Sequence, residues 1–187
     1  MANNPPSNHI ISEFLAFLKK PFHYRPIQKL DQQSVKNLIS GFAIVFVFEI
    51  IAMSLFQMIA GIEEIPHAFD SMMDMNPFIM ILFAVIIAPV LEELIFRFPM
   101  KYITKYFPFF FYVISIGFAL LHIFNFDLSM HHYLLAPFLV LPQLILGLYL
   151  GFVRMKNGIL ASMGIHALNN LIPILMLLFS DFFGFSF

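Results

Sequence analysis

The chain has 187 residues, of which 60% are hydrophobic and only 11% charged. A soluble domain carries about 25% charged residues, so this composition suits lipid as its solvent. The absence of cysteine excludes disulfides, thiolate metal sites and a cysteine nucleophile. There are 26 Phe and no Trp, so an interfacial aromatic belt has to come from Phe and Tyr.

Residues 1–38 form a polar segment punctuated by Pro5, Pro6, Pro21 and Pro26 and carrying Lys19, Lys20, Arg25, Lys29 and Lys36. No short apolar core follows a basic start, so it does not read as a signal peptide. Residues 10–18 place apolar groups on one helical face, with Lys19 and Lys20 behind them. They read as a short amphipathic helix lying on the cytoplasmic membrane surface, against the alternative of a disordered tail.

Residues 39–187 then supply about five apolar segments near the roughly 20 residues that cross a bilayer, at about 40–60, 77–96, 108–125, 133–153 and 159–180. Glu49 sits in the middle of the first, placed to line a cavity or to pair with a buried donor. The loop 61–76 holds Glu63, Glu64, Asp70 and Asp74 and no Lys or Arg. Residues 98–110 carry Lys101, Lys105 and aromatics and suit the interface. A polar loop carries Asp127, His131 and His132, and Pro137 and Pro142 interrupt the fourth span. Arg154, Lys156, Asn157 and Gly158 make a tight turn. All ten Lys and Arg fall in the N-terminal segment, at 97–105 or at 154–156, which five spans place on one face. The positive-inside rule makes that face cytoplasmic, with the N-terminus inside. The fold class expected is an all-α integral membrane protein with about five transmembrane helices and a short N-terminal amphipathic segment, and the location expected is a bacterial inner membrane. No internal repeat points to an inverted-repeat transporter.

Ionisable groups within such spans are costly and mark functional sites by default. Glu92 and Glu93 end the second span. Glu93 and Arg97 are four apart and share a helix face, while Glu92 is turned away by about 100°. One carboxylate is therefore available to be oriented by Arg97 and the other to act as a base; the bland alternative is a helix end whose charges snorkel to the interface. Phe118 shares a face with His122, and His166 shares one with Asn170. Taken singly, each reads as a hydrogen-bonded bundle residue, and Asn169, Gln57, Asn125 and Gln143 extend that polar set. Taken together, the groups supply a base for water and donors for an oxyanion, which is what peptide hydrolysis needs.

The ordered motifs Glu92-Glu93-x-x-x-Arg97, Phe118-x-x-x-His122 and His166-x-x-x-Asn170 resemble those of the CAAX protease and bacteriocin-processing family, also called Abi. The resemblance covers about residues 77–175. It implies an intramembrane endopeptidase acting on a peptide or membrane-tethered protein tail, with membrane lipid as its surroundings and no nucleic-acid partner. It also implies that Glu92 and His122 activate water, that His166 and Asn170 stabilise the oxyanion, and that Glu93, Arg97 and Phe118 support the site. A divalent metal such as zinc, held by Glu92, His122 and His166, is the ligand set to test. Other protease chemistries fit less well. There is no HExxH motif, Asp127 and Asp181 sit at helix ends, and a Ser162–His166 dyad would place nucleophile and base on one helix. The competing classes are a non-catalytic binding or self-immunity protein, and a transporter in which Glu and His relay protons. On straight helices Glu92 and His166 lie nearer the cytoplasmic face than His122, so their convergence requires the third span to begin deeper or to tilt.

Overall fold

The computed structural model describes residues 10–24, 27–60, 76–126, 128 and 134–183. Every element among the described residues is helical: α1 (Ile10–Lys19), α2 (Gln32–Ala60), α3 (Pro77–Ile81), a π-helical segment (Leu82–Ile87), α4 (Ala88–Phe96), a 3-10 turn (Pro99–Lys101), α5 (Phe107–Leu121), a second 3-10 turn (His122–Asn125), α6 (Ala136–Leu139), α7 (Leu141–Asn157) and α8 (Ile159–Phe183). Except for Asn76 and Leu128, the acidic loop at 61–76 and the loop with Asp127, His131 and His132 lie outside the described residues.

Local chemistry sets the helix starts. Asp31 Oδ1 accepts the Ser34 N–H at 2.7 Å, capping α2. That bond holds the Asp31 carboxyl below the usual aspartate range. Its support for α2 is therefore present above the ordinary aspartate value and fades as pH falls through the lowered one. Asn76 Oδ1 accepts the Phe78 N–H at 2.9 Å, with Pro77 in the first turn of α3. Gly158, at φ 97°, makes the sharp turn between α7 and α8 that other residues adopt only with strain.

Among the described residues four helices are long and apolar enough to cross a membrane: Gln32–Met58, Pro77–Lys101, Phe107–Asn125 and Ile159–Phe179. The chain is a multi-pass all-α membrane protein. The segment expected at 133–153 takes a different form. The break at Val140, just before Pro142, splits it into α6 and a 17-residue α7. Proline within the first helical turn is tolerated, whereas inside a helix it would break the bonding. α7 packs against α2, α5 and α8 and is the central post of the bundle.

The N-terminal segment corrects one expectation. α1 is helical and amphipathic, but its apolar face does not lie on a membrane surface. Ile10, Phe14 and Phe17 are buried in the bundle core with Phe111, Tyr149 and Phe152. Phe17 meets Phe111 edge-on at 5.2 Å, and Phe14 meets Tyr149 at 5.3 Å. Lys156 pairs with Glu13, and Tyr24 donates to the same carboxylate at 2.9 Å. Burial, with Glu13 beside it, pushes the Tyr24 hydroxyl well above the usual tyrosine range. The bundle offers α1 an aromatic surface that it matches better than acyl chains, which have no ring edges to present.

The same segment also docks on the start of α5. Phe107 packs on His23 at 4.2 Å, Phe111 on Phe17, and Tyr112 donates to the Leu18 carbonyl. One side of the first turns of α5 is thus covered by the N-terminal segment, while Phe109 on the other side stays exposed. If α1 is a core element, Phe17→Ala lowers stability by about 3–5 kcal/mol in detergent unfolding, the cost of emptying a buried aromatic site. A helix merely resting on lipid would show almost no change.

Candidate active site

The site grows from one i, i+4 pair. Glu93 and Arg97 are both fully buried, with Glu93 Oε1 3.6 Å from Arg97 Nε. A buried carboxylate needs matching charge and hydrogen bonds to stay ionised. Glu93 has them. His166 Nδ1 lies 3.2 Å from Oε1, and the Ser162 hydroxyl donates to Oε2. Arg97 is matched in charge by Glu93, although its Nε and Nη1 make no hydrogen bond. Its guanidinium lies 3.8 Å from the centre of the Phe118 ring, and Nη2 donates to the Gly147 carbonyl at 3.4 Å. Gly147 permits this approach, because a Cβ there would lie 2.9 Å from Phe118 Cδ1 and 3.2 Å from Arg97 Nη2.

Phe118 is the plate on which the site is built. Its ring centre is 4.7 Å from that of His122 and 5.7 Å from that of His166. Its carbonyl oxygen faces His122 Nδ1 at 2.9 Å. A carbonyl only accepts, so His122 carries its proton on Nδ1 and leaves the Nε2 lone pair free. The Glu93 carboxylate makes the same demand of His166 Nδ1.

Both Nε2 atoms face Glu92. They lie 3.8 Å (His122) and 3.6 Å (His166) from Glu92 Oε2. That oxygen is buried and has no hydrogen-bond partner, although the Glu92 side chain as a whole is 29% exposed. Three acceptor atoms therefore converge at separations too long for direct hydrogen bonds. A water admitted between them could donate to two of these acceptors.

Residues expected at the site thus converge from three helices: Glu92, Glu93 and Arg97 around α4, Phe118 and His122 around α5, and His166 on α8. Asn170 comes from α8 as well, but its Nδ2 donates to the Ala84 carbonyl at 2.9 Å. Glu49 is buried, and its Oε1 has no hydrogen-bond partner among the described residues. Gln143 and Asn169 also keep an unpartnered buried oxygen.

Two features were not read from the sequence. Ser162 was weighed only as a nucleophile, whereas here it donates to Glu93. Its i, i+4 relation to His166 was the available signal. Ala84, the partner of Asn170, carries no side-chain signal at all.

Glu92, His122 and His166 have the donor types of a zinc hydrolase site. Zinc requires every donor within about 2.0–2.2 Å of one point. Among the described residues no group of three or more His, Asp or Glu side chains is placed to hold an ion. The set fits a metal by type and not by spacing.

No curated protein and no solved structure matches the chain. The sequence model of the Rce1-like family, described as type II CAAX prenyl endopeptidases, matches residues 74–172. That stretch is more than half of the chain and contains Ala84, the Glu92–Arg97 turn, His122, Ser162, His166 and Asn170. The chain accordingly belongs to the Rce1-like family of type II CAAX prenyl endopeptidases.

Proposed function

We propose that the chain is an intramembrane endopeptidase in which Glu92 is the general base. The observation that carries this reading is the unpartnered Glu92 Oε2 facing two imidazole lone pairs. A water in that space donates one proton toward Glu92 and the other toward His122 Nε2, which turns an oxygen lone pair toward an incoming carbonyl. Glu92 takes the first proton as the water oxygen bonds to the carbonyl carbon. The carbonyl oxygen becomes an oxyanion. Collapse of that intermediate breaks the C–N bond, and Glu92 passes its proton to the departing amine, leaving a new carboxyl terminus and a new amino terminus.

The oxyanion needs donors. Asn170 Nδ2 has two hydrogens, and one remains after the bond to Ala84. His166 becomes a second donor when its ring is protonated, since Glu93 holds the Nδ1 proton and stabilises the added charge. Phe118 fixes both imidazoles by packing. Glu93, Arg97 and Ser162 touch no reacting atom and act through His166 as positioning residues.

The substrate is a peptide or a membrane-tethered protein tail that reaches the cluster from the basic end of the bundle. Glu92 offers the way in, because it is the most exposed member of the Glu92–His122–His166 set. A metal bound by Glu92, His122 and His166 would polarise the carbonyl and acidify the water, once the three side chains drew closer. The route above uses only the chain's own groups.

Cleavage of a pooled peptide library by protein purified in detergent tests the reading. Glu92→Ala lowers cleavage by about 10²–10⁴-fold, the usual worth of a general base, and His166→Ala by about 10²–10³-fold. Both variants remain folded by circular dichroism. Cleavage that survives Glu92→Ala removes Glu92 from the base role. Wild-type rates with chelator match those without it; loss of activity restored by added zinc would establish the metal route instead.

Ser162→Ala separates positioning from nucleophilic attack. It lowers the rate by roughly 10-fold, as loss of a partner to a liganding group does. No trace of acyl-enzyme burst appears in wild type. Abolished cleavage in this variant, together with a burst in wild type, would make Ser162 the nucleophile.

A further inference from the structure

The bond between Asn170 and Ala84 originates in Pro89. After Ile81 the helix widens to i→i−5 bonding over Leu82–Ile87, and the Ala88 N–H reaches Phe83 O instead of Ala84 O. In the widened pattern the next N–H would belong to residue 89 and would reach Ala84. Residue 89 is proline and has no N–H. Ala84 O is therefore passed over by its partner in either pattern. A backbone carbonyl left without a donor in an apolar medium is costly, and broken helices in membranes recruit neighbouring side chains to supply one. Asn170 Nδ2 supplies it here, at 2.9 Å.

We propose that the Asn170 amide stands in for the N–H that Pro89 lacks, and that this bond is a register lock between α8 and the π segment. The consequence for the site follows from helix geometry. A π segment absorbs one extra residue, so every residue beyond it is turned back by about 100°. Were the segment to relax to continuous α-helix, Glu92 would take the place of Glu93. Leu91 would then take the place of Glu92, and an apolar side chain would face the two imidazoles. In this structure Glu93 is fully buried and Leu91 is 53% exposed. Through the amide hydrogen that it does not offer the oxyanion, Asn170 thus also sets which carboxylate meets which partner, a role that rests on the assignment of Glu92 as the base.

Thermal unfolding in detergent, with no peptide present, tests the bond by a double-mutant cycle of Pro89→Ala and Asn170→Ala. Asn170→Ala lowers Tm by about 2–4 °C or more in the parent. In the Pro89→Ala background an N–H is available to Ala84, and the loss falls to half or less. Equal losses in the two backgrounds overturn the substitution of amide for N–H. Should the alanine variant not accumulate, Asn170→Leu removes the donor at nearly constant size and completes the same cycle. The register is read separately. The chain has no cysteine, so a spin label on Leu91→Cys reports one position. It is mobile in the parent and immobilised when Asn170→Ala is added; unchanged mobility overturns the lock. Coupling in Tm without any wild-type cleavage would sink the base assignment and leave the bond standing. Glu92-dependent cleavage without coupling would do the reverse.

Discussion

The site depends on keeping Glu93 ionised where no water reaches it. An isolated buried carboxylate would protonate or drag the helix end toward the interface. Glu93 instead meets Arg97, His166 and Ser162, and Arg97 is held by the Phe118 face and the Gly147 carbonyl. These partners come from α4, α5, α7 and α8. Removing one partner from such a group leaves an uncompensated charge, which is why buried pairs are costly to break even where they add little net stability. The partners that hold Glu93 also aim the imidazole of His166.

The segment outside the spans is part of the same construction. Arg154 Nε donates to the Arg97 carbonyl at 3.1 Å, and two residues on Lys156 pairs with Glu13 of α1. The Gln28 N–H bonds the Lys156 carbonyl at 2.8 Å. The basic end of α7 thus ties the turn after Glu93 to the N-terminal segment. Aromatic packing of Phe14, Phe17, Tyr149 and Phe152 seals this end where a single-sheet or disulfide scaffold would use other means. The same aromatic group reaches the first turns of α5 through Phe17 and Phe111.

What was legible in the sequence was what helix periodicity controls. Spacing of four put Glu93 with Arg97, Phe118 with His122 and Ser162 with His166, and each relation is present in space. Hydropathy found the four long spans for the same reason, since lipid permits only helices there. Relations between elements were not legible. That α1 packs on the bundle and not on lipid depends on aromatic surfaces contributed by α5 and α7. That Ser162 serves Glu93 depends on how α8 meets α4. Asn170 was paired with His166 by spacing, yet its amide goes to a backbone carbonyl, and backbone carries no residue-specific signal. Pro89 was visible one turn before the glutamates, but proline alone does not say whether a helix kinks, ends or widens.

Two adjacent glutamates receive opposite environments, and that asymmetry is the chemical content of the site. Consecutive helical residues differ by about 100°, so one side chain can point into the bundle while its neighbour points along a cleft. Glu93 has a cation, a hydroxyl and an imidazole N–H, and its full burial keeps water from it. Glu92 Oε2 has only acceptor atoms opposite it, so a proton on a water between them has somewhere to go. A base must be under-satisfied to act, and a positioning group must be fully satisfied to hold still. Exchanging the two residues in space would leave the composition of the cluster unchanged and remove its function. The helix phase entering α4 therefore carries as much of the chemistry as the carboxylates do.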